Sequence, residues 1–267
     1  MREKTFLESF SRHRLGVIGC VGVALILLAG VVGPFFVPFQ KGYGEAMPLA
    51  GPSAENFLGT DALGLDLFSE IIWGARTSIL ISASAVLVAM FIGIPLGLVS
   101  GYSRGKIGAL IDSAIEITMT IPTLPLMILI SALVGPSVRT VAVVIGVFAW
   151  PTLARIVRNS TLKVSQMQYI EAAKVLGISK GSIMFKHILL NIAGPVLVDI
   201  TLIMATAVLT ESSLSYLGLG DPNVWSWGGI LQTAFKAGHH FRAWWLVIFP
   251  AASIMLYVIF FNLLGIG

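Results

Sequence analysis

Apolar and polar positions alternate on a coarse scale along this chain, as long oily runs separated by short polar breaks. The first run extends from Leu15 to about Val37, too long for the roughly 7–15-residue apolar region of a signal peptide. Its leading flank, "MREKTFLESFSRHR", mixes acids with bases, so an uncleaved transmembrane helix is expected. A Gly- and Pro-rich stretch from Gln40 to Asp66 reads as a loop. Within "DLFSEIIWGAR", Leu67, Phe68, Ile71 and Ile72 have helical spacing and predict a short amphipathic helix lying at the interface, with Trp73 at headgroup level. Further spans are expected at about Ser78–Val99, Leu110–Leu133, Val141–Val157, Ile188–Leu209 and Trp244–Leu264, each near the ~20 residues that a hydrocarbon core requires. Pro122 and Pro125 should bend the third span, and Pro151 lies inside the fourth.

Six spans place both termini on one side, and the basic residues decide which. With the amino terminus inside, twelve Lys and Arg fall inside, from Arg2 to Lys186, against five outside: Lys41, Arg76, Arg139, Lys236 and Arg242. Both termini are therefore expected in the cytoplasm, on the inner side of a cytoplasmic membrane. The domain reading is a cytoplasmic segment 1–14, a first transmembrane helix 15–37, an extracytoplasmic loop 38–77 with its short helix, and a five-span core 78–267 containing a cytoplasmic loop at 160–187.

Composition agrees. Only 11% of residues are charged and 56% are hydrophobic, whereas soluble domains carry about 25% charged residues. The net charge of +4 is explained by basic cytoplasmic loops rather than by nucleic acid. The single cysteine, Cys20, excludes an intrachain disulfide and a thiolate cluster, and is read as a packing residue. No P-loop and no H-E-x-x-H sequence is present. His239 and His240 are adjacent and would diverge by about 100° on a helix, a poor metal pair. "GPS" at Gly135 lacks the membrane-buried His partner of an intramembrane serine protease.

The most polar long segment is "YIEAAKVLGISKGSIMFKHILLN", Tyr169 to Asn191. Ser165 to Gln168 has the spacing of a capping box. Tyr169, Ala172, Ala173 and Leu176 share a helical face. Gly177 stands where a helix ends, and Ser179 is placed to cap a second helix. One reading is an amphipathic helix lying on the bilayer. The face is small, however, and alanines permit close approach of another backbone, so a protein groove is the better partner.

This segment resembles the EAA motif of ABC-importer permeases: Glu171, Ala172, Ala173, three residues, then Gly177. "LGTDALGLDLFSEIIWGARTSI", "ESSLSYLGLG", "SWGGIL" and "FNLLG" resemble the dipeptide/oligopeptide/nickel branch, in its second, C-type subunit, and cover nearly the whole chain. The resemblance implies an all-α type I importer permease with six transmembrane helices and a cytoplasmic coupling helix. Tyr169, Glu171, Ala172, Ala173, Leu176, Gly177 and Ile178 would then engage an ATPase. It implies a second permease subunit, two cytoplasmic ATPase subunits and an extracytoplasmic solute-binding protein. ATP and Mg would reside on the ATPases, leaving no cofactor and no catalytic residue here. The implied cargo is di- or oligopeptide, with nickel or other metal chelates and oligosaccharides as alternatives. Leu65 stands where the family usually has Arg, Glu70 where a basic residue is common, and Leu190 where Pro is usual. The family usually continues with Asp and a polar tail where Ile266 and Gly267 follow here.

Ionisable residues inside a bilayer are costly and default to function. Asp199 falls inside the fifth span, either on the translocation pathway or held by Thr201 or a neighbouring helix. Glu211, with Ser212, Ser215 and Tyr216, lines the outer pathway or else stabilises a turn. Asp112 and Glu116 share a face and are expected to pair with Arg104 or Lys106. The competing class is a stand-alone secondary transporter or channel, which needs an intramembrane ion-binding constellation or inverted repeats. Asp199 is the one mid-membrane candidate for the former, and no convincing repeat is seen.

Overall fold

The computed structural model describes residues 14–39, 42–103, 105–236, 238 and 241–266. The expected pairs at His239/His240 and Arg104, and the segment 1–13, lie outside them. Nine main helices follow in order: α1 Arg14–Val32, α2 Leu67–Tyr102, α3 Lys106–Thr120, α4 Thr123–Val134, α5 Val138–Val164, α6 Gln168–Val175, α7 Ala193–Tyr216, α8 Trp227–Lys236 and α9 Trp245–Ile266. The sole isolated β-bridge among the described residues joins Thr60 to Asp66. Helices α1, α2, α5, α7 and α9 are each long and apolar enough to cross a membrane.

The third expected span is broken. Helices α3 and α4 meet at 82°, and they make a sixth span only if taken together. The cause is local: a residue before proline is pushed out of the α region. Ile121 is accordingly extended (φ −72°, ψ 131°), and Pro122 then precedes α4 (φ −67°, ψ 97°). The expected interfacial helix is not separate either. It forms the first turns of α2, which runs unbroken for 36 residues. At 1.5 Å per residue that is about 54 Å, longer than the ~30 Å hydrocarbon core. Asp66 starts the helix, its Oδ2 accepting from Ser69 N–H at 3.0 Å. Leu67 and Glu70 on this first stretch are buried, and Trp227 Nε1 donates to Ile71 O at 3.1 Å. Trp73 donates to Val37 O at 3.1 Å and meets Phe39 edge-on. The face expected to touch lipid is covered in part: Leu67 is buried, Ile71 and Ile72 are partly buried, and Phe68 remains exposed.

The frame is built around α2 and α5, whose contact is the most extensive in the molecule. Gly93, Gly97 and Gly101 recur every fourth residue on α2 and turn toward α5. A Cβ at Gly97 would lie 2.6 Å from Ala154 O, and one at Gly101 would lie 2.6 Å from Arg158 O. Small residues at this spacing let helix backbones approach closely where no hydrophobic effect drives association. Helix α1 packs on α9, and α7 bridges α9, α2 and α5.

The loop before α2 is ordered by polar contacts. Thr60 Oγ1 accepts from Ala50 N at 2.8 Å and donates to Met47 O at 2.7 Å. Asp61 Oδ1 accepts from Leu63 N at 2.8 Å and from Leu65 N at 2.7 Å. Burial pushes the Asp61 carboxyl above the ordinary aspartate range. The Leu65, Leu63 and Gly64 N–H groups and the Glu70 carboxyl pull it back only in part.

Two outcomes follow. Gly97→Ala is expected to force the helices apart and destabilise by about 1–3 kcal/mol, although alanine is the better helix former; thermal unfolding of the purified protein checks it. An aspartate that binds its proton more tightly folded than unfolded lends stability in acid and loses it as pH rises through the raised folded value. Acidification from neutral pH into the upper carboxylate range should therefore raise the unfolding temperature, and Asp61→Asn should flatten that rise.

Candidate functional site

The polar segment after α5 folds as two helical pieces around a glycine corner. Helix α5 continues to Val164, and Ser165 ends it, its Oγ donating to Leu162 O at 3.0 Å. The expected capping box is therefore absent: Met167 is the N-cap of α6, with no side-chain cap bond. At the other end, Gly177 has φ +77°. Ile178 N donates to Ala173 O at 3.1 Å, and Gly177 N to Lys174 O at 3.1 Å. This paired pattern is a Schellman motif, which favours glycine at the left-handed position. Ser179 caps the next piece, accepting from Ser182 N at 3.3 Å. That piece comprises Lys180–Ser182, a π-helical stretch Ile183–Ile188 and Leu189–Asn191. It delivers the chain to α7.

The faces of α6 differ from the expected set. Ala173 points inward with Ile170, which is fully buried. Both join Ile183, Ile188 and Ile192 in one apolar cluster with Leu98 of α2 and Leu153 and Val157 of α5. Tyr169, Ala172 and Leu176 remain on the outer face, beside Val175 at 88% exposure. Glu171 is exposed in the first turn. Lys174 Nζ sits 5.5 Å from the centre of the Tyr102 ring, tying α6 to the end of α2. The result is an apolar outward ridge with an adjacent carboxylate, rooted in the helix core. Leu190, the departure from pattern, is 70% exposed.

The polar groups of α7 are treated in two different ways. Glu211 is fully buried. Its Oε1 accepts from Ser215 Oγ at 2.7 Å; its Oε2 accepts from Ser212 at 3.3 Å and from Ser78 of α2 at 3.4 Å. Ser226, just before α8, is also hydrogen-bonded to it. Glu211 thus fastens α2, α7 and the α8 entry together and lies in packed interior, not on an open wall. Ser212 is buried with it; Ser215 also borders a cavity of about 430 Å³. Tyr216 is half-exposed, edge-on to Phe235 at 5.8 Å.

Asp199 is different. It is 6% exposed, and its Oδ2 has no hydrogen-bond partner. Thr201 does not hold it, since Thr201 Oγ1 donates to Val198 O at 2.7 Å. Asp199 borders a 330 Å³ chamber between α4, α5 and α7. Asp112 pairs not with Lys106 but with Arg158 of α5, at 2.7 Å. Spacing along one helix did not reveal that partner, 46 residues away. The Glu211–Ser78 tie was hidden from the sequence for the same reason. No group of three or more His, Cys, Asp or Glu fit to hold a metal occurs among the described residues.

A bundle of apolar helices, broken at one span and carrying a helix–glycine–helix segment outside it, defines a membrane permease of the type I importer class. A solved structure titled as inward-facing conformations of the MetNI methionine ABC transporter matches this fold. Its TM-score is 0.58 at 20% identity, covering 71% of this chain and 91% of that one. Residues 93–266 match the family described as binding-protein-dependent transport system inner membrane component. Residues 4–52 match the N-terminal TM domain of oligopeptide transport permease C. The dipeptide transport system permease protein DppC of Alkalihalophilus pseudofirmus is 34% identical over 97% of this chain and 86% of its own length. The oligopeptide transport system permease protein OppC of Haemophilus influenzae is 36% identical over 97% and 84%. The glutathione transport system permease protein GsiD of Pectobacterium atrosepticum is 34% identical over 99% and 88%. The chain belongs to this family of ABC-importer permeases.

Glu211→Ala is expected to strand several buried hydroxyls and destabilise by about 1–3 kcal/mol. Ser78→Ala should cost less, because it removes one long bond from a carboxylate that keeps others. Unfolding temperatures of the two variants check the order.

Proposed function

We propose that this chain is one half of the translocation pathway of an importer for di- or oligopeptides, and that α6 transmits the work of cytoplasmic ATPase subunits to it. The observation that carries the reading is the two-sided α6. Its inner face, Ile170 and Ala173, is locked into the α2–α5 core. Its outer face, Tyr169, Ala172, Val175 and Leu176, is apolar and exposed. A ridge with those two faces suits a protein groove, and a displacement of the groove would move α5 and α7 with it. Glu171 supplies a carboxylate for a charge-assisted hydrogen bond from a basic groove residue.

Peptide is favoured as cargo by the names of the dipeptide and oligopeptide relatives. A related second permease completes the pathway, two ATPases bind ATP and Mg, and an extracytoplasmic solute-binding protein delivers the cargo. Both termini then lie in the cytoplasm, and Asp199 faces the pathway.

Glu171→Lys and Gly177→Trp are each expected to abolish ATP-driven uptake in the reconstituted complex and to remove stimulation of ATP hydrolysis by loaded binding protein. Gly177→Trp adds a side chain at a positive φ, while Glu171→Lys reverses the charge on an exposed surface and should leave folding intact. Wild-type stimulated hydrolysis in the Glu171→Lys complex would sink the coupling role. Proton-driven transport by the isolated chain would sink the importer reading itself.

A further inference from the structure

The 330 Å³ chamber between α4, α5 and α7 has a one-sided chemistry. Its polar lining is Asp199 and four threonines: Thr123, Thr152, Thr206 and Thr210. Among the described residues, no Lys, Arg or His lines it. The hydroxyls of α7 are already committed as donors: Thr206 Oγ1 donates to Leu202 O at 3.0 Å and to Ile203 O at 3.1 Å, and Thr210 Oγ1 donates to Thr206 O at 2.9 Å. A hydroxyl whose proton is engaged has lone pairs left to offer. The α7 wall of the chamber therefore presents acceptors, and at its edge stands a carboxylate oxygen without a partner; Thr123 and Thr152 add hydroxyls that can accept as well as donate.

A polar atom left unsatisfied at this depth is expensive, and carboxylates within a span are kept where something uses them. The contrast with Glu211 is on the same helix: there the surrounding serines satisfy both oxygens, whereas at Asp199 the structure leaves one open beside a space large enough for a cargo group.

We propose that the Asp199 chamber is a binding site for a primary ammonium group of the cargo, as carried by the amino terminus of a peptide in transit. Asp199 Oδ2 provides the counter-charge and the threonine oxygens receive the remaining N–H donors. An ammonium group has three donors and no acceptor, the complement of this lining. The site rests on the importer reading for its supply of cargo, and it assigns that pathway a preference for a positively charged leading group.

The test uses the assembled transporter with Cys20→Ser in this chain and a reporter Thr152→Cys. Labelling is read on this chain by mass spectrometry after exposure to cationic or anionic methanethiosulfonate reagents of matched size. With each rate divided by that reagent's rate on a free thiol, the cationic reagent is expected to react at least about tenfold faster, the ratio that 1.4 kcal/mol supports, and Asp199→Asn should remove that preference. Tetraalanine should slow labelling, and N-acetyl-tetraalanine should not. Equal rates for the two reagents, or equal protection by the two peptides, would overturn the proposal. ATP-driven uptake of tetraalanine, measured on the transporter without these substitutions, tests the importer reading separately. Uptake with no charge preference in labelling rejects this site alone; charge-selective labelling without uptake rejects the peptide importer.

Discussion

The close approach of α2 and α5 governs the rest of the structure. Where Gly93, Gly97 and Gly101 face α5, the two backbones are near enough that a single Cβ would collide with a carbonyl oxygen. In a bilayer, lipid tails compete equally for apolar side chains, so association relies on van der Waals packing over such surfaces. Leu98 on this stripe and Leu153 and Val157 opposite are buried in the same cluster as Ile170 and Ala173. The membrane frame and the root of the external helix are thus one packed body. Interiors at this density are poorly compressible and transmit strain.

Polar groups in the spans serve this frame or stand apart from it. Glu211 gathers hydroxyls from α2, α7 and the entry to α8. Ser82 and Tyr257 share a 2.8 Å bond that joins α2 to α9. Both are internal satisfactions of the kind a bilayer demands. Asp199, seven residues into α7 by its helix bounds, receives none for Oδ2. Where neighbouring residues on one helix are handled so differently, burial alone does not describe them; the presence or absence of a donor across the helix interface does.

Much of this was legible in the chain. Apolar runs located the spans, because the bilayer enforces length and composition. The glycine corner at Gly177 and the cap at Ser179 were legible because both are local. The errors share a cause. Periodicity around Leu67 and Ile71 marked an apolar face but not what covers it, and tertiary burial turned an expected surface helix into part of α2. Ser165 matched a capping pattern, yet α5 ran on and used it as a terminator. Ala173 was grouped with Tyr169 by spacing, whereas the core claimed it together with Ile170. In each case a short-range rule was right about geometry and silent about the partner.

The surroundings of Asp61 show how such a frame holds a buried carboxyl. Leu65 is 1% exposed; its N–H donates to Asp61 Oδ1, and its carbonyl accepts from Asp61 N at 2.9 Å. Two N–H groups, those of Leu63 and Leu65, hold the aspartate. Glu70 lies beside it, 3% exposed, with Oε1 unpartnered. Two adjacent carboxyls in a space lined by Trp225, Ile230 and Leu246 cannot both be comfortably ionised, since low dielectric magnifies like-charge repulsion. The fold tolerates the pair because the loop is fixed independently by Thr60 and by Trp245 Nε1, which donates to Thr60 O at 3.1 Å. The loop is anchored by backbone hydrogen bonds and aromatic packing around a buried pair of carboxyls, and for that reason its stability should depend on pH more than on salt.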